Sequence, residues 1–254
     1  MRRLLQIFAG LLPLVSVAPV SAAEPTDTVK IVSYNIRAGV GMDDVRDFRR
    51  QAAVIDTRKA DVVLLQEVDS LTRRSGRVNM PDTLAAATGL SHYFSKSIDF
   101  DGGAYGIAML LKDKPLAVTR YPLPGREEAR SLLIAEMPGY VVACTHLSLT
   151  PADQITSAGI IALLADTYSK PFILGGDLNA TPGSPTIRRL EQAGFRIVSA
   201  DRPTYPASTP SDRIDYIMVH DPAATVKAVD AAVVDAPEAS DHRPISVTLI
   251  IPKI

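Results

Sequence analysis

Short apolar runs rich in valine, isoleucine and leucine recur at residues 29–36, 62–68, 105–111, 116–120, 131–136, 140–148, 171–175, 214–219, 226–234 and 245–251. Their length and β-branched content predict strands. Some of them, such as DVVLLQEV at 61–68, lack apolar–polar alternation. A strand that is apolar on both sides must be covered on both faces. Helical patterns between the runs supply such cover. One spans about 45–59, with Val45, Phe48, Ala52 and Ile55 on one side and Asp43 or Asp44 as its cap. Others run from Pro81 to Gly89, where glycine suits the position after the last turn, over about 151–168, and over about 185–193. The pattern is that of an α/β protein with two sheets packed together inside helical layers.

Past residue 28 there is no repeat, low-complexity segment or linker. A chain of 254 residues is long enough for one sizeable core, so residues 24–254 are expected to form a single domain. Residues 1–23 read as a secretory signal peptide: Arg2 and Arg3, an apolar run from Leu4 to Val20, and a small-residue exit. Ser21 and Ala23 match a signal-peptidase site, with cleavage expected after Ala23 or, as second choice, Ala22. The mature chain is therefore expected in the periplasm or secreted, with no membrane span after cleavage.

Charge and cysteine content narrow the partners. Removing Arg2 and Arg3 leaves 25 basic and 28 acidic residues, a net charge of −3, and there is no tryptophan. No basic face announces a long nucleic acid. Cys144 is the one cysteine and lies in the apolar VVACTHL, so it reads as a core residue and no intramolecular disulfide forms.

The informative residues sit where the apolar runs end. IVSYNIR ends near Asn35, VVLLQEV contains Glu67, and VVACTHLS contains His146. FILGGDLN delivers Asp177 and Asn179, DRIDYIMV contains Asp215, and Asp241 and His242 precede the last run. Each has an ordinary alternative: Asp177 and Asn179 fit an Asx turn, and Glu67 or Asp241 fit a surface charge. His92 and His220 are read as packed or solvated. As a set, the acids and amides suit Mg²⁺ or Mn²⁺, which prefer oxygen ligands. There is no Cys/His cluster for structural zinc, no G-x-S-x-G elbow and no GxxxxGK[ST] loop.

The motifs SYNIR, LLQEVD, GGAYGIAML, EARSLLIAEM, THL, GGDLNATP, RIDYIMV and SDHRPISV occur in this order across nearly the whole mature chain. In this the sequence resembles the endonuclease/exonuclease/phosphatase superfamily, the group of pancreatic deoxyribonuclease, neutral sphingomyelinases and inositol-polyphosphate 5-phosphatases. The resemblance is nearest to its secreted bacterial members. It implies a four-layer, deoxyribonuclease-I-like α/β sandwich of two mixed sheets flanked by helices, with the site at one end of the sheets. It also implies roles. Glu67 is the principal metal carboxylate, with Asn35 and Asp241 beside it. Asp177 orients or deprotonates the attacking water, and Asn179 holds that water or a phosphoryl oxygen. His242, oriented by Asp215, donates to the phosphate. His146 is a second donor and general acid, and Arg130 contacts the phosphate.

The implied activity is that of a Mg²⁺- or Mn²⁺-dependent phosphohydrolase, most simply a phosphodiesterase, acting as a monomer. Its substrate is a phospholipid head group, a small phosphorylated metabolite or nucleic acid. A nuclease and a catalytically inactive binding module are the alternatives. The sequence departs from secreted relatives at Ile107, where asparagine is usual, at Lys112-Asp113, and at Asn79. These departures are expected to fall on the substrate-facing walls.

Overall fold

The computed structural model describes residues 26–253; the expected signal peptide lies outside them. Its elements are β1 (Thr26–Asn35), a 3-10 turn (Arg37–Gly39), α1 (Phe48–Asp56), β2 (Val62–Ser70), α2 (Met80–Thr88), β3 (Ser91–Phe100), β4 (Gly103–Leu111) and β5 (Ala117–Leu123). β6 (Arg130–Glu136), β7 (Val141–His146), α3 (Pro151–Ala165), β8 (Phe172–Asp177), α4 (Pro185–Gln192), β9 (Phe195–Ile197), β10 (Asp215–His220), β11 (Lys227–Val233) and β12 (Ile245–Pro252) follow.

Two six-stranded mixed sheets result, ordered β11-β12-β1-β2-β4-β3 and β5-β6-β7-β8-β10-β9. Each holds one parallel pair, β1 with β2 and β7 with β8, joined across α1 and α3 respectively. The runs without alternation sit in these central positions. In β2, Val62 and Leu64 face the other sheet while Val63 and Leu65 face the helices. A central core between the sheets includes Ile31, Ile107, Leu133, Ile173 and Ile217. A second core lies beneath α1 and α2, and a third beneath α3 and α4. This is the four-layer sandwich.

Local differences have local causes. α1 begins at Phe48 rather than 45, because Asp47 accepts from the Arg49 amide, while Val40 and Arg46 form a bridge that holds the preceding residues in a turn. Strands β3 and β9 have no counterpart among the predicted runs. β3 is an edge strand of sequence SHYFSKSIDF, mostly half-exposed, and lacks an apolar run; β9 has only three residues.

The departures from secreted relatives are not on a substrate wall. Ile107 is buried between the sheets, Lys112 pairs with Asp61 at the far end, and Asn79 stands at the N-cap position of α2 without a side-chain capping bond. An apolar residue at 107 fills the dry inter-sheet layer, so its consequence is packing. Cys144 is buried in the same layer. His220 stacks on Phe195 at 5.3 Å, and His92 lies 3.9 Å from exposed Asp82.

Candidate active site

The C-terminal ends of the two parallel pairs meet at one end of the sandwich. Asn35 and Glu67 come from β1 and β2, and His146 and Asp177 from β7 and β8. Sheet register sets the second group: His146 pairs with Asp177 on one side and Asp215 with Asp177 on the other. Three functional side chains thus stand in a row across β7, β8 and β10.

Glu67 reaches the site through a backbone irregularity. The β2–β4 register shifts between Leu65 and Val68, and Glu67 takes φ 56°. A bulge of this kind breaks the ladder locally and re-aims a side chain at the strand end. Gln66 accordingly remains buried between the sheets beside Cys144, and Val68 packs under the helices. At β8, a Cβ on Gly176 would lie 2.0 Å from the Thr145 carbonyl oxygen, and Gly176 has φ 154°. A Cβ on Gly175 would meet Leu64 of the opposite sheet at 2.3 Å. The two glycines let β7 and the facing sheet approach Asp177 closely.

Asn35 bridges the sheets. Its Nδ2 donates to Glu67 Oε1 at 3.0 Å and to Asp177 Oδ2 at 3.1 Å, while its Oδ1 accepts from the Arg37 amide. So placed, Asn35 orients two carboxylates, and its amide oxygen accepts from the backbone of the turn that follows. Asp177 Oδ1 accepts from the Asn179 amide at 2.9 Å. The Asx turn is therefore present, and the turn and the site are one structure. Asn179 Nδ2 donates to the Leu147 carbonyl, and Gln154 on α3 ties the Asn179 and Ser148 carbonyls together.

His242 Nδ1 lies 2.9 Å from Asp215 Oδ2, which also accepts from Thr204 Oγ1 at 2.5 Å. The Tyr205 ring lies against the imidazole at 4.8 Å. Burial opposes a charge on His242, but the charge and hydrogen bond of Asp215, with Asp177 and Asp241, outweigh it and raise the pKa to about 10. His146 has the opposite balance. Burial pushes it down to about 4, Arg130 and His242 add to that, and Asp177 only partly opposes it. His146 is thus held towards the neutral form, and His242 towards the cationic one.

Arg130, at the start of β6, is buried between Glu127 at 3.1 Å and Glu128 at 3.2 Å. Glu127 also accepts from the Leu149 amide and Ser148 Oγ, fixing the turn after His146. Arg130 and His146, with Glu67, Asp177, Asn179, Asp241 and His242, line a cleft of about 340 Å³ that also includes Tyr105, Glu128, Leu149, Tyr205 and Ile214.

Two groupings bear on a metal. Asp177, Asp215 and His242 offer ligand atoms within 4.8 Å of one another. Asp215 Oδ2 is already engaged by His242 and Thr204, and His242 Nε2 stands 3.6 Å from Asp177, so the trio reads as His242 held between two acids. Glu67 and Asp241 form the other grouping. Burial raises the Glu67 pKa, and the charges of Asp241 and Asp177 raise it further. Arg37 reaches Asp241 only at 3.8 Å. A buried carboxylate whose pKa is raised by burial and by neighbouring acids fits a hard divalent cation, which would relieve that cost.

The sequence of this chain matches the model of the endonuclease/exonuclease/phosphatase family over residues 32–242. The chain belongs to that family. Endonuclease/exonuclease/phosphatase proteins are divalent-metal-dependent phosphoester hydrolases, which supports a hydrolase. A family member from Beutenbergia cavernae has 25% identity and a TM-score of 0.74, over 88% of this chain and 72% of that one. A mannosyl-6-phosphatase from Bacteroides thetaiotaomicron has 16% identity and a TM-score of 0.67, over 87% and 99%. The human nocturnin catalytic domain, with a bound sulfate anion, has 15% identity and a TM-score of 0.64, over 91% and 100%. The last two share the fold. Among curated proteins, none matches the chain significantly.

Sequence reasoning missed Tyr105, Glu128, Thr204, Tyr205 and Gln154. Glu128 alone carried a local signal, two residues before Arg130 in EEARS. The others come to the site through tertiary contacts.

Proposed function

We propose that the protein is an exported, Mg²⁺- or Mn²⁺-dependent phosphodiesterase that hydrolyses its substrate by in-line attack of water. The observation that carries this reading is the convergence of acidic, neutral and cationic groups on Asp177 at the meeting point of the two sheets.

Glu67 and Asp241 would hold the divalent ion, with Asn35 fixing the Glu67 carboxylate. The ion supplies charge neutralisation at the phosphoryl oxygens. Asp177, held by Asn35 and the Asn179 amide, is placed to align a water and accept its proton. Asn179 leaves its amide oxygen to the cleft, suited to the same water. His242, kept cationic and oriented by Asp215, donates to the developing charge and to the leaving oxygen. Arg130 and neutral His146 complete the phosphate cradle. The intact set of groups argues against an inactive binding module.

Export rests on the signal-peptide pattern of residues 1–23. Among the described residues no helix is long and apolar enough to cross a membrane. A monomer is the simplest state consistent with one complete site in one chain. The related mannosyl-6-phosphatase acts on a phosphomonoester of a sugar, so small phosphorylated metabolites belong in any test. The discriminating experiment is a panel of plasmid DNA, RNA, sphingomyelin, phosphatidylinositol and inositol phosphates, with Asp177→Asn as the blank. Hydrolysis of a small or lipid diester supports the reading; efficient, salt-sensitive nicking of plasmid alone would replace it with a nuclease.

A further inference from the structure

One wall of the cleft has polar groups that the hydrolytic machinery leaves unused. Tyr105, near the start of β4, is 9% exposed and lines the cleft, and its hydroxyl makes no hydrogen bond among the described residues. The ring is largely buried while the hydroxyl keeps access to the cleft, where it can pair with a bound molecule. The ring itself is held firmly. Phe100 lies 6.1 Å away, and the Arg74 guanidinium sits 4.4 Å over Phe100 and 5.5 Å over Tyr105. Arg74 is itself fixed by two 2.7 Å hydrogen bonds to buried Asp69. A phenol anchored in this way presents its hydroxyl in one place.

Glu128 stands on the same wall. Its Oε1 is buried 3.2 Å from Arg130 Nη1, while the side chain remains a quarter exposed and its Oε2 has no hydrogen-bond partner among the described residues. The Glu67 and Glu128 charges both act on the Tyr105 phenol, which places the three groups in one electrostatic neighbourhood. The wall therefore offers a carboxylate acceptor and a hydroxyl able to donate or accept, next to the cation assigned to the phosphate.

We propose that Tyr105 and Glu128 form a hydroxyl-recognition subsite, so that the alcohol esterified to the substrate's phosphate is a polyol or sugar. This rests on the phosphohydrolase reading above. The local charges favour a neutral group. A further anionic phosphate would face the Glu128 carboxylate. An ammonium group would find that carboxylate already matched by Arg130, with Arg74 nearby. A neutral hydroxyl meets the remaining need, which is for hydrogen bonds. A site built to pair a substrate hydroxyl also discriminates strongly against the analogue lacking it.

Three esters with one leaving group test this: 4-nitrophenyl glyceryl phosphate, 4-nitrophenyl propyl phosphate and 4-nitrophenyl phosphorylcholine. They are assayed with Mg²⁺ or Mn²⁺ on the wild type, Tyr105→Phe and Glu128→Gln, with folding checked by circular dichroism. The expected result is a kcat/KM for the glyceryl ester at least about tenfold above that for the propyl ester, with each variant bringing that ratio towards one. A wild-type ratio near one, preference for the choline ester, or a ratio unchanged in both variants overturns the proposal. If Glu128 serves only to hold Arg130, its substitution slows all three esters equally, which also counts against the subsite. Hydrolysis of none of the three overturns the phosphodiesterase reading together with this one.

Discussion

Asp177 receives an amide hydrogen from Asn35, a backbone hydrogen from Asn179, and the Nε2 edges of His146 and His242 at 3.5 and 3.6 Å. Such a residue is expected to dominate the chemistry. Asp177→Asn and His242→Ala should each lower kcat/KM by at least about 10²-fold, the scale for acid–base and electrostatic groups, as read by steady-state kinetics. Wild-type rates would refute their roles. Asp215 acts through His242. Asp215→Asn removes the charge that keeps His242 cationic to about pH 10, so the alkaline limb of the pH–rate profile should move to lower pH. An unmoved limb would separate the pair.

The two histidines also predict opposite pH effects on stability. His146 is depressed from 6.5 to about 4, so below pH 6.5 the unfolded chain binds the extra proton. Its contribution to stability is present above pH 6.5 and is lost as pH falls towards 4. His242 is raised, so its contribution is complete below pH 6.5 and is lost as pH rises through about 10. Thermal melts of wild type and His146→Gln across pH 4–7 check the first sign: the wild type should lose more stability on acidification than the variant.

At the scale of elements, the sequence was most legible where strands are buried on both faces. The central strands β1, β2, β7, β8 and β10 all appear as apolar runs, and Asp177, His146 and Asn35 stand at strand ends as their sequences suggested. Edge strand β3 was not legible, since its half-exposed side chains need no apolar run. Nor was the aim of Glu67, which depends on a register shift against β4. Tyr105 read as an ordinary strand residue because its role depends on Arg74, Phe100 and Glu128, none adjacent in sequence. The glycines of GGD were legible as a close approach but not as to what approaches. At Gly176 it is the Thr145 carbonyl. Gly176→Ala should therefore destabilise the fold by about 2 kcal/mol or more, read by urea denaturation. A change under about 0.5 kcal/mol would show that β7 yields easily.

At the scale of the molecule, two sheets with one parallel pair each bring four strand ends to one edge, and the acids concentrated there need a counter-charge. Mn²⁺ should raise the melting temperature of the wild type, through binding to the folded state, and do so much less in Glu67→Gln. The central claim is that this edge is a metal-dependent phosphohydrolase site. Its most direct test is hydrolysis of bis(p-nitrophenyl) phosphate by the purified mature protein. We predict turnover with Mg²⁺ or Mn²⁺, its loss in EDTA, its return on adding excess metal, and no such return in Glu67→Gln. Undiminished turnover in EDTA, or a Glu67→Gln enzyme as active as the wild type, would contradict the account.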